Sequence, residues 1–253
     1  MKNQVYTLPC KPGSLFINFG ARCLNECRFC VKRFGTFFGY ELDPDYSKEG
    51  IEEGLKKIKS KGKNITEIVL CGIGEPFLYY NELIETALYC KELFGDVPLR
   101  ADTTGLWWND NRDLSFIEHI DTLSISLNAE SKEKYDQICQ PKISDAYETL
   151  MDFLQTLSKE REKREHFPEI RLTVVDTSEK DLMPPRKGTD LPGDCPVPDI
   201  KKCKEIADKF GFPLVVKHLF FDSHECWDTE QIEDQTLGGE YLEKCAKCRT
   251  RHI

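Results

Sequence analysis

Short apolar runs rich in branched residues alternate along this chain with longer segments whose apolar residues recur at helical spacing, and that alternation leaves few folds open. The candidate strands lie at 15–19, 67–71, 98–103, 122–127, 169–176 and 213–220. Helical patterns fill the gaps at 47–61, 81–94, 112–119, 145–163 and 200–210, with a shorter one at 131–138. Ser47 is a natural N-cap for the first of these, and Ile51, Leu55 and Ile58 mark its buried stripe. Strands joined by helices run parallel with right-handed crossovers, so the pattern predicts either an open doubly wound sheet or a barrel.

Length narrows the choice. A complete eight-fold barrel typically uses about 250 residues. This chain has 253, yet shows six strand–helix units and two long irregular stretches, 20–45 and 177–199. The reading is therefore an α/β protein with a partial (βα)6 TIM-like barrel, its core at 1–221 and a short, cysteine-containing C-terminal extension at 222–253. Irregular stretches this long in a compact domain usually serve function.

Composition excludes several classes of function. With 40% apolar and 31% charged residues, the chain can bury a real core. No apolar run approaches the roughly 18 residues of a membrane span, and the first residues lack the apolar stretch of a secretory signal, which predicts no membrane association and a cytoplasmic location. A net charge of -9 argues against broad nucleic-acid binding, which depends on cations displacing counterions from phosphates. Twelve cysteines in such a chain point to metal or redox chemistry rather than a disulfide framework. Cys71 and Cys90, lying within apolar patterns, read instead as small core residues.

The chemistry concentrates after the first strand, where Cys23, Cys27 and Cys30 are spaced so that one loop can wrap a small inorganic core. Thiolates are the ligands of iron–sulfur clusters, and three of them leave one iron of a cubane open to another ligand. A zinc site with a fourth ligand from elsewhere fits the same residues. The C-x3-C-x2-C spacing, with Phe29 before the last cysteine, resembles the signature of the radical S-adenosylmethionine (radical SAM) superfamily. Gly72-Ile-Gly-Glu-Pro76, after the second strand, resembles that superfamily's Gly-Gly-Glu-Pro motif.

The resemblance implies a barrel of the radical SAM type and a [4Fe–4S] cluster on Cys23, Cys27 and Cys30. It also implies S-adenosylmethionine on the open iron, cleaved reductively to a 5′-deoxyadenosyl radical that abstracts hydrogen from a substrate. Gly72, Gly74, Glu75 and Pro76 are then cofactor-binding, with Glu75 offering a carboxylate to the methionyl amine. Ser126 and Asn128 resemble the family's ribose contacts, and Thr104 lies in a turn, Thr103-Thr-Gly105, that resembles its Asn-Gly turn. Thr173 is a further cofactor candidate, with Asp176 and His218 ranked below it. Tyr40, Cys139 and the proline-rich stretch are candidate substrate-side elements. The runs Cys27-Arg-Phe-Cys-Val-Lys-Arg-Phe-Gly35, Gly39-Tyr-Glu-Leu42 and Ser126-Leu-Asn-Ala-Glu130 with Tyr135 following look like the TatD-associated radical proteins.

An electron donor such as a flavodoxin or ferredoxin is the implied partner. Cys226, Cys245 and Cys248 form a candidate second site for another iron–sulfur cluster or zinc, with free surface thiols as the alternative. Three rival functions remain at this point: a non-catalytic iron–sulfur or zinc protein, a glycyl-radical activase, and a nucleoside-modifying enzyme.

Overall fold

In the computed structural model, which describes residues 4–8, 11–30, 32, 42–178, 195–218 and 251–252, eight strands lie side by side in chain order. They are β1 (Val5–Leu8), β2 (Lys11–Asn18), β3 (Glu67–Cys71), β4 (Leu99–Thr103), β5 (Thr122–Ser126), β6 (Glu169–Asp176), β7 (Leu214–His218) and β8 (Arg251–His252). Strands β2 to β7 are parallel, and β1 and β8 add antiparallel edges. No pairing joins β1 to β8 among the described residues, so the sheet remains an open, partial barrel. The six parallel strands are those read from the sequence. The first begins four residues earlier than expected, and β1 answers a run too short to register as periodic.

Among the described residues five α-helices connect or follow the strands: α1 (Lys48–Ser60), α2 (Tyr80–Phe94), α3 (Lys132–Cys139), α4 (Ala146–Arg161) and α5 (Ile200–Phe210). The Ser47 hydroxyl accepts from Gly50 N at 3.0 Å and caps α1, while Lys57 and Lys59 complement the negative end of its dipole. Asp199 caps α5 from its side chain, and Gly211, at φ 73°, ends it in a left-handed turn. The helix expected at 112–119 is instead a 3₁₀ turn, Ser115–His119. Asn111 and Asp113 side chains take the N–H groups of Asp113 and Ser115, and these local bonds compete with helix formation upstream.

Alternation along the strands separates two faces. Ile17, Leu70, Ala101, Ile125, Leu172 and Val216 point outward into one core shared with the helices. The opposite face is concave and mixed. Phe16, Val69 and Cys71 form a small apolar cluster there with Tyr6, Leu8 and Leu42, whereas Arg100, Asp102, Ser124, Thr173 and Lys217 occupy the inner positions of β4 to β7. A parallel barrel gathers its site at the carboxyl ends of such strands, and the three cysteines follow the end of β2.

Candidate active site at the carboxyl ends of the strands

Asn18, fully buried at the end of β2, sets the geometry. Its Oδ1 accepts from Gly20 N at 3.2 Å and Ile73 N at 3.1 Å, and its Nδ2 donates to the Asp43 carbonyl at 2.7 Å. One side chain thus ties together the cysteine loop, the glycine turn and the segment leading to α1. Nothing in its sequence neighbourhood marks it, because its partners are up to 55 residues away.

The cysteine loop is fixed from below by the end of α3. Glu26 N donates to the Cys139 carbonyl at 3.0 Å, Arg28 N to the Ile138 carbonyl at 2.9 Å, and Lys142 N returns a bond to the Leu24 carbonyl at 2.8 Å. Asn25 Nδ2 donates to the buried Tyr135 hydroxyl at 2.9 Å. Asn25 Oδ1 is buried and has no hydrogen-bond partner among the described residues. Cys23, Cys27 and Cys30 emerge half-buried from this braced backbone.

From above, the loop carries the glycine turn. Glu75 N donates to the Arg22 carbonyl at 2.7 Å. A Cβ on Gly74 would stand 2.3 Å from that same carbonyl oxygen, and one on Gly72 would stand 3.0 Å from the Gly20 carbonyl oxygen. Glycine is required at position 74 because backbone lies against backbone.

Glu75 does not present an open carboxylate. It is 1% exposed. Oε1 accepts from Phe77 N at 3.0 Å and Thr103 Oγ1 at 2.9 Å, and Oε2 accepts from Thr104 N at 2.6 Å and Thr104 Oγ1 at 2.5 Å. Those four donors occupy its acceptor sites, so the side chain locks the turn after β3 to the turn after β4. Burial pushes the carboxyl above its ordinary range while the four donors pull the other way. Pro76 begins the 3₁₀ turn Pro76–Tyr79 that Glu75 caps.

The remaining cofactor candidates sit along the same rim. Ser126 ends β5, paired with Thr173 of β6. Thr173 is buried and its hydroxyl donates to the Ile125 carbonyl at 3.4 Å. Asn128 is the most unusual of them. Its backbone is left-handed at φ 57°, it is buried, and its Oδ1 has no hydrogen-bond partner among the described residues. The left-handed backbone is one that asparagine tolerates, and the orphaned buried acceptor is the feature that sets this position apart on the rim. Asp176 and His218 pair at the ends of β6 and β7. Tyr40, most of the proline-rich stretch and Cys226, Cys245 and Cys248 lie outside the described residues.

The surroundings of Cys23 and Cys27 favour the neutral thiol over the thiolate. Burial, then the Glu75 charge, pushes Cys23 up to about 12. A hydrogen bond with Cys139, then burial, holds Cys27 well above the ordinary thiol range. A bound metal reverses that logic, since a coordinating thiol is deprotonated outright. Among the described residues no three His, Cys, Asp or Glu side chains stand close enough together to hold a metal ion. The donor set nevertheless fits a thiolate-ligated cluster: three half-buried thiols on one loop whose backbone is fixed on both sides, needing side-chain rotation to converge.

The model of the Radical SAM superfamily matches residues 17–172, more than half of the chain. The chain belongs to the radical SAM superfamily. Both motifs of the radical SAM resemblance fall within the matched residues, as does β3, which leads into the glycine turn. The fold resembles the solved structure titled "Native anSMEcpe with bound AdoMet" at 13% identity and a TM-score of 0.50, covering 81% of this chain and 50% of that one. It also resembles methylornithine synthase (PylB) at 16% identity and a TM-score of 0.47, covering 82% of this chain and 53% of that one. The chain thus spans about half the length of these structures, and the likeness concerns the fold. No curated protein matches it.

Proposed function

We propose that the chain is a radical SAM enzyme that holds a [4Fe–4S] cluster on Cys23, Cys27 and Cys30 and binds S-adenosylmethionine beside it. The observation that carries this reading is the docking of Gly74 and Glu75 directly on the Arg22 carbonyl, which puts the cysteine loop and the glycine turn in one rigid unit. When bound, the cluster and S-adenosylmethionine supply reductive carbon–sulfur cleavage to a 5′-deoxyadenosyl radical that takes hydrogen from a substrate.

The chain's own residues supply position. Gly72 and Gly74 let the turn's backbone pack against the cysteine loop, and Glu75 holds that turn against Thr103 and Thr104. Asn128 Oδ1 is the free acceptor for a cofactor hydroxyl, with Ser126, Thr104 and Thr173 lining the rim nearby. A flavodoxin or ferredoxin is the proposed electron donor and the cytoplasm the proposed location. Among the described residues no helix is long and apolar enough to cross a membrane. The nearer resemblance to TatD-associated radical proteins rests on the sequence runs alone.

Anaerobic reconstitution with iron and sulfide, followed by dithionite and S-adenosylmethionine, tests the reading. The native chain is expected to form 5′-deoxyadenosine and the triple Cys23/Cys27/Cys30→Ala variant none. A reduced cluster, seen by electron paramagnetic resonance, that yields no 5′-deoxyadenosine would favour an electron-transfer or structural role.

A further inference from the structure

The inner face of the sheet holds a charge arrangement that cofactor binding does not use. Arg100 of β4 takes both nearby carboxylates, Glu67 at 2.9 Å and Asp102 at 3.1 Å. Ser14 also donates to Glu67 at 3.1 Å. Lys217 of β7 shares this face: its neighbour Val216 points into the helix-side core, so the alternation turns Lys217 inward. It is half-buried and makes no ion pair or hydrogen bond with any described residue.

The two strands are separated in the sheet by β5 and β6, yet the charges act on one another across the concave face. Burial works against the Asp102 charge, but Arg100, Lys217 and Lys11 together bring its carboxyl below the ordinary range. Burial likewise pushes the Lys217 amine below its ordinary range, with Asp102 pulling against it and Arg100 and Lys11 adding to it. Among the described residues the face therefore carries the cations Lys11, Arg100, Arg171 and Lys217 against the anions Glu67, Asp102 and Glu169, one positive charge in excess, inside a chain of net charge -9.

Its position suits a substrate. Asp102 lies one inward-facing residue below Thr104, about 7 Å down β4 at 3.3 Å per residue, and Thr104 is bonded to Glu75 of the glycine turn. The opposite part of the same face, Phe16, Val69, Cys71, Tyr6 and Leu8, is apolar.

We propose that this inner face anchors the substrate, with Lys217, backed by Arg100, binding a carboxylate and the apolar patch accepting the rest of the molecule. The single excess charge matches a carboxylate rather than a phosphate dianion, and a lysine point charge without a partner among the described residues is completed by such a group. The assignment rests on reading the strand ends as the S-adenosylmethionine site, since that is what puts the anchor within reach of the chemistry.

Methyl acetyl phosphate, an anionic reagent that acetylates amines with release of methyl phosphate, tests the site on the full, reconstituted chain without any turnover. Lys217 is expected to be acetylated faster than the exposed Lys57, because burial lowers its amine pKa and leaves more of it as free amine. Mass spectrometry reads the two sites separately. Butyrate is expected to protect Lys217, and neutral butyramide to leave it reactive. Labelling of Lys217 no faster than Lys57, or equal protection by butyramide, would overturn the anchor, and protection by inorganic phosphate in place of butyrate would overturn the carboxylate. Because no 5′-deoxyadenosine is measured, a failed anchor and a failed radical SAM reading remain distinct results.

Discussion

Glu75 reaches from the glycine turn to Thr104 and accepts from both its backbone N–H, at 2.6 Å, and its hydroxyl, at 2.5 Å. Two loops that follow neighbouring strands are thereby joined by one buried carboxylate. Replacing it with the isosteric amide turns an acceptor into a donor that faces another donor. Glu75→Gln is expected to lower stability by about 2–3 kcal/mol, the range for losing buried hydrogen bonds to a charged group. Thr104→Val should cost about half as much and Thr104→Ser little. Urea midpoints at unchanged slope measure this, and a neutral Glu75→Gln would show that the four bonds are not a structural lock.

Gly74 lies on the Arg22 carbonyl so closely that a methyl group has no room. Gly74→Ala is therefore expected to lift the glycine turn off the cysteine loop, at about 1–3 kcal/mol for an overpacked contact, and to reduce the iron retained after reconstitution. Gly62 is the control. Its φ is 64° and nothing lies within 4 Å of an added Cβ, so Gly62→Ala carries backbone strain of about 1 kcal/mol and leaves iron content unchanged. Equal iron in both variants would separate the turn from the cluster loop.

The parallel frame of the barrel was legible because its signals are local. Branched runs such as Glu67-Ile-Val-Leu-Cys71 and Glu169-Ile-Arg-Leu-Thr-Val-Val-Asp176 fall on β3 and β6 without a shifted end. The cysteine spacing and the glycine turn were legible for the same reason. Contacts across the sheet left no such trace. Asn18 with Ile73 and Asn25 with Tyr135 are pairs of ordinary residues whose meeting depends on the completed fold. The four donors on the Glu75 carboxylate left no trace either, since they come from Phe77 and from a turn 28 and 29 residues away.

Asn128 combines a left-handed backbone with an unpartnered buried oxygen, and two substitutions separate these features. Asn128→Gly accepts φ 57° without strain, while Asn128→Ala bears about 1 kcal/mol of it. Both lose the side-chain acceptor. Each is expected to bind S-adenosylmethionine about ten-fold more weakly by equilibrium dialysis, the equivalent of one hydrogen bond of about 1.4 kcal/mol, with only the alanine variant also less stable. Native affinity in Asn128→Gly would place Oδ1 away from the cofactor.

Cys139 ends α3 fully buried and shares a hydrogen bond with Cys27. If Cys27 keeps this contact when it ligates iron, the Cys139 thiol would be the donor to that ligand, and hydrogen bonds to cluster sulfurs raise reduction potentials. Cys139→Ala should make the cluster harder to reduce while leaving iron content intact, and Cys139→Ser should restore much of the difference. Potentiometric titration followed by electron paramagnetic resonance checks both. An unchanged potential in Cys139→Ala would reduce the contact to packing.

Lys217 offers a test in which stability and binding move in opposite directions. Its amine is held below the ordinary range, so on unfolding in the window between that lowered value and 10.5 the chain takes up a proton, and stability rises with pH across it. Below the window the charged amine is a cost that no described carboxylate offsets by contact. Lys217→Met should therefore stabilise the metal-free, reduced chain at pH 7, by about 0.5–1 kcal/mol after allowing for solvent screening of a half-buried group. The gain should shrink as pH approaches 10. A residue kept despite that cost is expected where function requires it. If Lys217→Met is instead destabilising at pH 7, the lysine is a structural partner of Asp102 and the cost attributed to its charge is refuted.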